Sequence, residues 1–258
     1  MSEESTSQQF INPLLVSAYD AMNSFGADGV FWVREIERLA PKTIIDLGCG
    51  TGLLTCELAR KGYQMIGIEP AGAMSDIART KPDAEKVQWI EGGYEKFDGL
   101  QADMVLLTSH VAQFFLEDSE WEKMLDAAAN ALTPGGNIVF DSRTPIFPPY
   151  QTWPTEKSPR RVEDSTHGPI DWYYKLLGIE NNRVRYQLHF HFINSGERII
   201  STDELIFRSQ EEFTKSLEGA GFDVESVYGD WDGSPATPQS EEMIFVASKK
   251  QASSDTLK

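Results

Sequence analysis

Three glycines at alternate positions, in Asp46-Leu47-Gly48-Cys49-Gly50-Thr51-Gly52, follow an apolar run of strand length and open a stretch of helical period. Few arrangements accommodate that pattern. Glycine adopts backbone conformations closed to other residues and lets a ligand approach main-chain N–H groups with no Cβ in the way, so the run reads as a strand-to-helix turn that cradles a ligand. The spacing is G-x-G-x-G. The nucleotide-redox fingerprint needs Gly or Ala at residue 53, which is Leu53, and a dinucleotide is therefore disfavoured. About twenty residues on, Glu69 ends the next apolar run, where an acidic residue accepts both hydroxyls of a ribose. An adenosine without pyrophosphate fits both facts.

The flanking sequence predicts a parallel α/β sheet. Strand-like Thr43–Leu47 precedes a helix at 52–61 with Leu54, Leu58 and Ala59 on one face; a strand at 64–68 and a helix at 73–79 follow. Strands at 87–91, 104–108 and 137–141 continue the series, with a helix at 121–132 closed by Thr133-Pro134-Gly135-Gly136. This alternation predicts a Rossmann-like doubly wound sheet. After Arg143 the rhythm stops: Pro145, Pro148, Pro149, Pro154 and Pro159 exclude regular helix, and a long loop is expected. Aromatic and β-branched runs at 172–179, 183–193 and 199–208, separated by Asn181-Asn182 and Asn194-Ser195-Gly196, predict an antiparallel meander. A helix at 211–220 has Ser209 as N-cap, with a poor match to a capping box, and Gly221 as its stop; strands at 222–228 and 242–248 close the sheet, the last antiparallel. The predicted organisation is a flexible tail at 1–9, a core of 10–145 and 205–248, a loop and antiparallel β cap at 146–204 inserted between the fifth and sixth strands, and a second tail at 249–258.

Charge narrows the partners. Twenty-three Lys and Arg stand against 40 Asp and Glu, a net −17, which repels nucleic-acid phosphates and anionic headgroups, so no nucleic acid or membrane is expected to bind. Cys49 and Cys56 read as reduced thiols, the N-terminus lacks a basic start and apolar h-region, and no apolar run is long enough to span a bilayer. A cytoplasmic protein is expected.

At these residues the sequence resembles the class I S-adenosylmethionine-dependent methyltransferases, over 15–145 and again over 205–248. The resemblance implies S-adenosyl-L-methionine as cofactor and S-adenosyl-L-homocysteine as product. In DLGCGTG it implies that Asp46, Gly48, Cys49, Gly50 and Gly52 surround the methionine portion. It further implies that Glu69 binds the ribose and that Pro70, Ala71 and Met74 line the adenine. Gly92-Gly93-Tyr94 is similar to the adenine-contacting turn, with Gly93 replacing the usual acid and the amino contact passing to backbone or Glu95. Thr108 ends the fourth strand beside this site, and Tyr19-Asp20 resembles a segment that closes over the cofactor.

Methyl transfer is an in-line displacement that needs a positioned nucleophile and, where that starts protonated, a base within hydrogen-bond reach. The reacting end of such a sheet lies at the carboxyl ends of its strands, which singles out 108–114 and His110 as the base. Gln113, Arg143, Trp153, Tyr174, His189 and His191 are the expected substrate contacts: Arg143 as an anion clamp, the rings as apolar walls, and the histidines if their face of the meander looks into the cleft. No metal is expected, because Asp141 is read as lacking the acid and amide neighbours of catechol-type enzymes. The polar-Pro-Pro-aromatic motif of nucleic-acid amino-methyltransferases is absent after the fourth strand, and Phe147-Pro148-Pro149-Tyr150, after the fifth, begins with Phe. The expected activity is methylation of a small molecule at oxygen or nitrogen. The alternatives are a protein or RNA methyltransferase, a non-catalytic binder of S-adenosylmethionine or S-adenosylhomocysteine and, more weakly, a nicotinamide oxidoreductase.

Overall fold

The computed structural model describes residues 7–146 and 149–251. Strands β1 (Thr43–Leu47), β2 (Gln64–Glu69), β3 (Val87–Glu91), β4 (Ala102–Leu107) and β5 (Leu132–Arg143) pair in parallel in the order β5-β4-β1-β2-β3. β1, β2 and β4 are almost continuously apolar because both of their faces are covered. On one face lie α4 (Ala27–Leu39) and α5 (Leu53–Arg60), packing Phe31, Trp32, Ile36 and Leu58 against Ile44, Met104 and Leu106. The other face takes α7 (Asp118–Ala131) and α8 (Gln210–Gly219). α7 buries Trp121, Met124, Leu125 and Ala128, the spacing of a single helical stripe. Trp121 and Phe213 meet Phe140 edge-on or tilted, with centroids 5.2 Å away in both cases, and Phe245 stacks on Phe140 at 4.8 Å.

The chain leaves β5 for a separate antiparallel sheet, β6 (Arg160–Asp164), β7 (Gly168–Glu180), β8 (Arg183–Phe192) and β9 (Arg198–Ile206), then returns as β10 (Phe222–Tyr228) and β11 (Glu242–Lys249). β11 runs antiparallel between β5 and β10, with Phe245 opposite Phe140. The second sheet therefore has four strands, not the three of the expected meander. β6 begins directly after Pro159, because proline forbids helix but not the start of an edge strand, and pairs Arg160 with Trp172. At α8 the Ser209 hydroxyl accepts the Glu212 N–H (3.2 Å) while the Glu212 carboxylate accepts the Ser209 N–H (2.6 Å), a complete capping box that corrects the poor match expected.

The N-terminal segment joins the two sheets. α1 (Gln8–Ile11), α2 (Pro13–Ser17) and α3 (Tyr19–Met22) set Phe10, Val16 and Tyr19 against Ala71 and Met74 around α6 (Gly72–Ala78), and Leu15 and Ala18 against the second sheet. α2 starts at Pro13 because the Asn12 side chain accepts the Leu14 N–H at 3.0 Å. The tail expected at 1–9 is thus ordered at 7–9: Ser7 is buried, its hydroxyl 2.7 Å from that of Ser201 on β9. Residues 1–6 and 252–258 of the expected tails, with Phe147 and Pro148, lie outside the described residues. At the other end Lys249 closes β11 and its ammonium donates to the Leu132 carbonyl. Among the described residues, no helix is long and apolar enough to cross a membrane.

Candidate active site

Strand order reverses at β1, so the crevice for a ligand opens at the carboxyl ends of β1 and β4. Gly48 (φ 74°), Gly50 (φ 55°) and Gly52 (φ 72°) all adopt the left-handed region there. A Cβ on Gly48 would come within 2.7 Å of Val111, so the glycine loop and the segment after β4 can approach this closely only with no side chain at 48. Glu69, buried at the end of β2, accepts the Gly50 N–H (2.9 Å) on one oxygen and the Ala71 N–H (2.9 Å) on the other. A carboxylate has about four acceptor positions, so two remain for a ligand. Burial raises the Glu69 pKa, and the two backbone bonds oppose the rise. Asp46 accepts the Thr55 hydroxyl at 2.6 Å; its other oxygen is fully enclosed without a partner among the described residues, and burial pushes the carboxyl up to about 6. Met74 Cε lies 3.5 Å from where a Gly50 Cβ would sit.

The N-terminal helices brace this loop. Asp20 accepts the Thr51 hydroxyl at 2.5 Å and pairs with the Lys81 ammonium, so α3 is tied both to the glycine turn and to the chain just after α6. Burial and then the Glu69 carboxylate raise the pKa of the Tyr19 phenol, with Asp20 and Tyr174 adding to the effect and Arg143 opposing it. Asp20→Ala is expected to speed proteolytic cleavage within the N-terminal helices, an equilibrium opening that limited proteolysis reads directly. An unchanged cleavage rate would show that the brace contributes nothing.

Beyond β4 the backbone is strained. Ser109 (φ 58°) and His110 (φ 65°) are consecutive non-glycine residues in the left-handed region, at a cost of about 1–3 kcal/mol each. The His110 N–H donates to Asp141 Oδ2 at 2.8 Å, while its Nε2 lies 3.0 Å from Glu242 Oε2 and 3.3 Å from Asp141 Oδ2. Asp141 therefore has the charged neighbours that its sequence reading denied it. Glu242 follows His110 by 132 residues and arrives through the antiparallel pairing of β11 with β5, a contact that no local motif announces. The three side chains offer ligand atoms within 4.8 Å of one another, a donor set of the type that holds a divalent cation. Burial, then the charge of Arg143, lowers the His110 pKa to about 3, against the opposite pull of Asp141 and Asp28; burial raises Asp141 to about 6 and Glu242 to about 7.

Residues 44–136 match a family model described as a methyltransferase domain. The cypemycin N-terminal methyltransferase of a Streptomyces species is 25% identical over 245 residues, covering 91% of this chain and 96% of the relative. The chain carries a methyltransferase domain and is an S-adenosylmethionine-dependent enzyme. Its fold is shared by a solved S-adenosylmethionine-dependent methyltransferase from Clostridium acetobutylicum ATCC 824 (TM-score 0.76, 14% identity, 93% of this chain and 98% of the other). The sugar N-methyltransferase KedS8 from Streptoalloteichus sp ATCC 53650 is also similar (TM-score 0.69, 19% identity, 88% and 89%).

The methyltransferase places its expected site residues unevenly. Pro70 is exposed beside the buried Ala71, and Thr108 is half-buried at the end of β4. Cys49 is a free cysteine whose thiol pKa is raised by burial and by the charges of Asp46 and Glu69. The Gly93 N–H donates to Glu95 in its own turn (2.8 Å). Tyr94 gives its hydroxyl to Glu120 on α7 (2.7 Å) and rests its ring against Phe115, so its polar end is not free for adenine. Gln113, expected to touch substrate, is wholly buried: its amide donates to the Ile206 carbonyl (3.2 Å) and accepts from Arg143 (3.1 Å), which makes it a strut between β9 and Arg143. Trp153 stacks on Tyr174 at 4.1 Å and meets Tyr186 at 4.9 Å within the second sheet. His189 and His191 lie on the face of β8 opposite the buried Leu188, Phe190 and Phe192; His189 stacks on Tyr173 at 4.6 Å. Because the buried face is the one that meets Leu15 and Ala18, the two histidines point away from the crevice, which overturns their substrate role.

The buried carboxyls set a pH dependence in the methyltransferase. Asp46 and Asp141 stand at about 6 against an ordinary 3.8, and Glu242 at about 7 against 4.5. The folded state thus prefers their protonated forms, and the stability they lend below the unfolded values is lost as pH rises through about 6–7. His110 acts oppositely, but only below its ordinary 6.5. The ligand-free protein is therefore expected to melt a few degrees higher at about pH 6.5 than at about pH 8. A melting temperature that rises toward pH 8 would contradict these shifts.

Proposed function

We propose that this methyltransferase alkylates an oxygen or nitrogen of a small-molecule acceptor in the crevice between the glycine loop and the four-stranded sheet. The observation that carries the reading is Glu69. It is a buried carboxylate, held in place by the Gly50 and Ala71 amides and keeping acceptor positions for a ribose diol. Gly48, Gly50 and Gly52 hold the backbone open for the methionine portion, the unpartnered Asp46 oxygen offers an acceptor beneath it, and Met74 and Ala71 wall the adenine. S-adenosylmethionine supplies, when bound, an electrophilic methyl carbon on a sulfonium. The protein's part is orientation, exclusion of water by Tyr19 and the N-terminal helices, and acceptance of a proton by His110.

The mutual electrostatic influence of Tyr19, Arg143, Tyr174 and Tyr186 supports an acceptor pocket where the second sheet meets the core. A net −17 supports a small acceptor over a nucleic acid. Support for nitrogen among the nucleophiles comes from the cypemycin relative, which is named for N-terminal methylation. Calorimetric titration tests the cofactor half of this reading: S-adenosylmethionine and S-adenosylhomocysteine are expected to bind in the micromolar range, with NAD and NADP silent. Binding of the dinucleotides instead would overturn it.

A further inference from the structure

We infer that Glu242, seconded by Asp141, is a positioning residue that holds His110 with its proton on Nε2 and so makes Nδ1 the proton-accepting nitrogen. The acceptor's proton would then pass to Nδ1; this use rests on the proposed methyl transfer, whereas the tautomer does not.

The geometry assigns the two ring nitrogens different surroundings. Nε2 lies 3.2 and 3.0 Å from the two Glu242 oxygens and 3.3 Å from Asp141 Oδ2, an oxygen that already accepts the His110 backbone N–H; with Glu242 ionised, above about pH 7, all three are acceptors. Acceptors on that side call for N–H there, and a neutral imidazole then carries its lone pair on the other nitrogen. Nδ1 has no hydrogen-bond partner among the described residues. Among those residues, the fully enclosed side-chain atoms without a partner are Asp46 Oδ1, Asp141 Oδ1 and Arg208 Nη1, so Nδ1 keeps access to the surrounding space. The arrangement follows the logic of an imidazole whose rear nitrogen is oriented by a carboxylate while the front one works.

Orientation is reinforced from the backbone, since Asp141 takes the His110 N–H at 2.8 Å and thereby fixes the left-handed turn that aims the ring. The charged groups facing His110 are Asp141 and Arg143 from β5, Glu242 from β11 and Asp28 from α4. Arg143 opposes protonation of the resting ring, and Asp141 and Asp28 favour it. A proton taken up by Nδ1 would therefore sit in a ring already paired with Glu242.

The test uses the full chain labelled with ¹⁵N-histidine; it has four histidines, and comparison with His110→Gln assigns the relevant one. Long-range ¹H–¹⁵N spectra at about pH 8.5, where Glu242 is ionised, are expected to show His110 neutral and protonated on Nε2. Glu242→Gln is expected to populate the Nδ1–H form and, with a methylated acceptor, to lower kcat at least about tenfold with little change in KM; Glu242→Asp should recover part of both. A wild-type ring protonated on Nδ1 or on both nitrogens would overturn the inference, as would a Glu242→Gln spectrum identical to wild type. Selective broadening of the His110 signals by stoichiometric Mn²⁺ would also overturn it, by making the cluster a metal site. Because the spectra are read without cofactor, failure of S-adenosylmethionine to bind would sink the proposed function and leave the tautomer standing.

Discussion

Replacing Glu69 by alanine is expected to weaken S-adenosylmethionine binding by roughly 10- to 150-fold. The estimate converts the loss of hydrogen bonds to a charged group, about 1.5–3 kcal/mol, at 1.4 kcal/mol per tenfold. Two effects act in the same direction. The ribose would lose its acceptor, and the Gly50 and Ala71 amides would lose theirs, so the loop beside them would no longer be held at φ 55° by the carboxylate. Glu69→Gln separates the two: an amide oxygen can keep one of the backbone bonds but brings no charge, so an intermediate loss is expected. Calorimetry on both variants reads the difference, and wild-type affinity in Glu69→Ala would remove the residue from the cofactor site.

His110→Asn is expected to lower turnover by about 10²-fold or more while S-adenosylmethionine affinity stays within about twofold. Asparagine is the better test than alanine because it tolerates the left-handed backbone at φ 65°, so the turn and its bond to Asp141 survive. The imidazole is not needed to hold the glycine loop, which Glu69 and the Thr51–Asp20–Lys81 chain secure. A variant that turns over normally would show that the acceptor needs no base from this cluster; one that fails to bind cofactor would make His110 structural.

The glycine run and Glu69 were legible in the sequence because their chemistry is local: a strand end, a turn that only glycine permits, and an acid one βα unit later. The doubly wound core was legible for a similar reason, its strands and helices carrying their own periods. What lay out of reach depends on pairing across long separations. β6 was hidden by the prolines before it, and Glu242 meets His110 only because β11 is threaded between β5 and β10. Side-chain commitments were equally invisible: Gln113 reads as a polar contact until both ends of its amide are seen to be taken, and Tyr94 reads as a ligand wall until its hydroxyl is found on Glu120. Alternation along β8 was read correctly, with Phe190 and Phe192 opposite His189 and His191. Which face turned inward was decided by Leu15 and Ala18, from a segment more than a hundred and fifty residues away that the sequence ties to β8 by no pattern.

The central claim is methyl transfer to a small acceptor, and the most direct measurement follows the methyl group itself. The purified chain is incubated with methyl-tritiated S-adenosylmethionine and, in separate reactions, with a low-mass metabolite extract, a protein fraction and an RNA fraction. The account predicts label in the low-mass reaction alone, lost in His110→Asn and sharply reduced in Glu69→Ala. Label entering protein or RNA while the low-mass pool stays unmarked would contradict it.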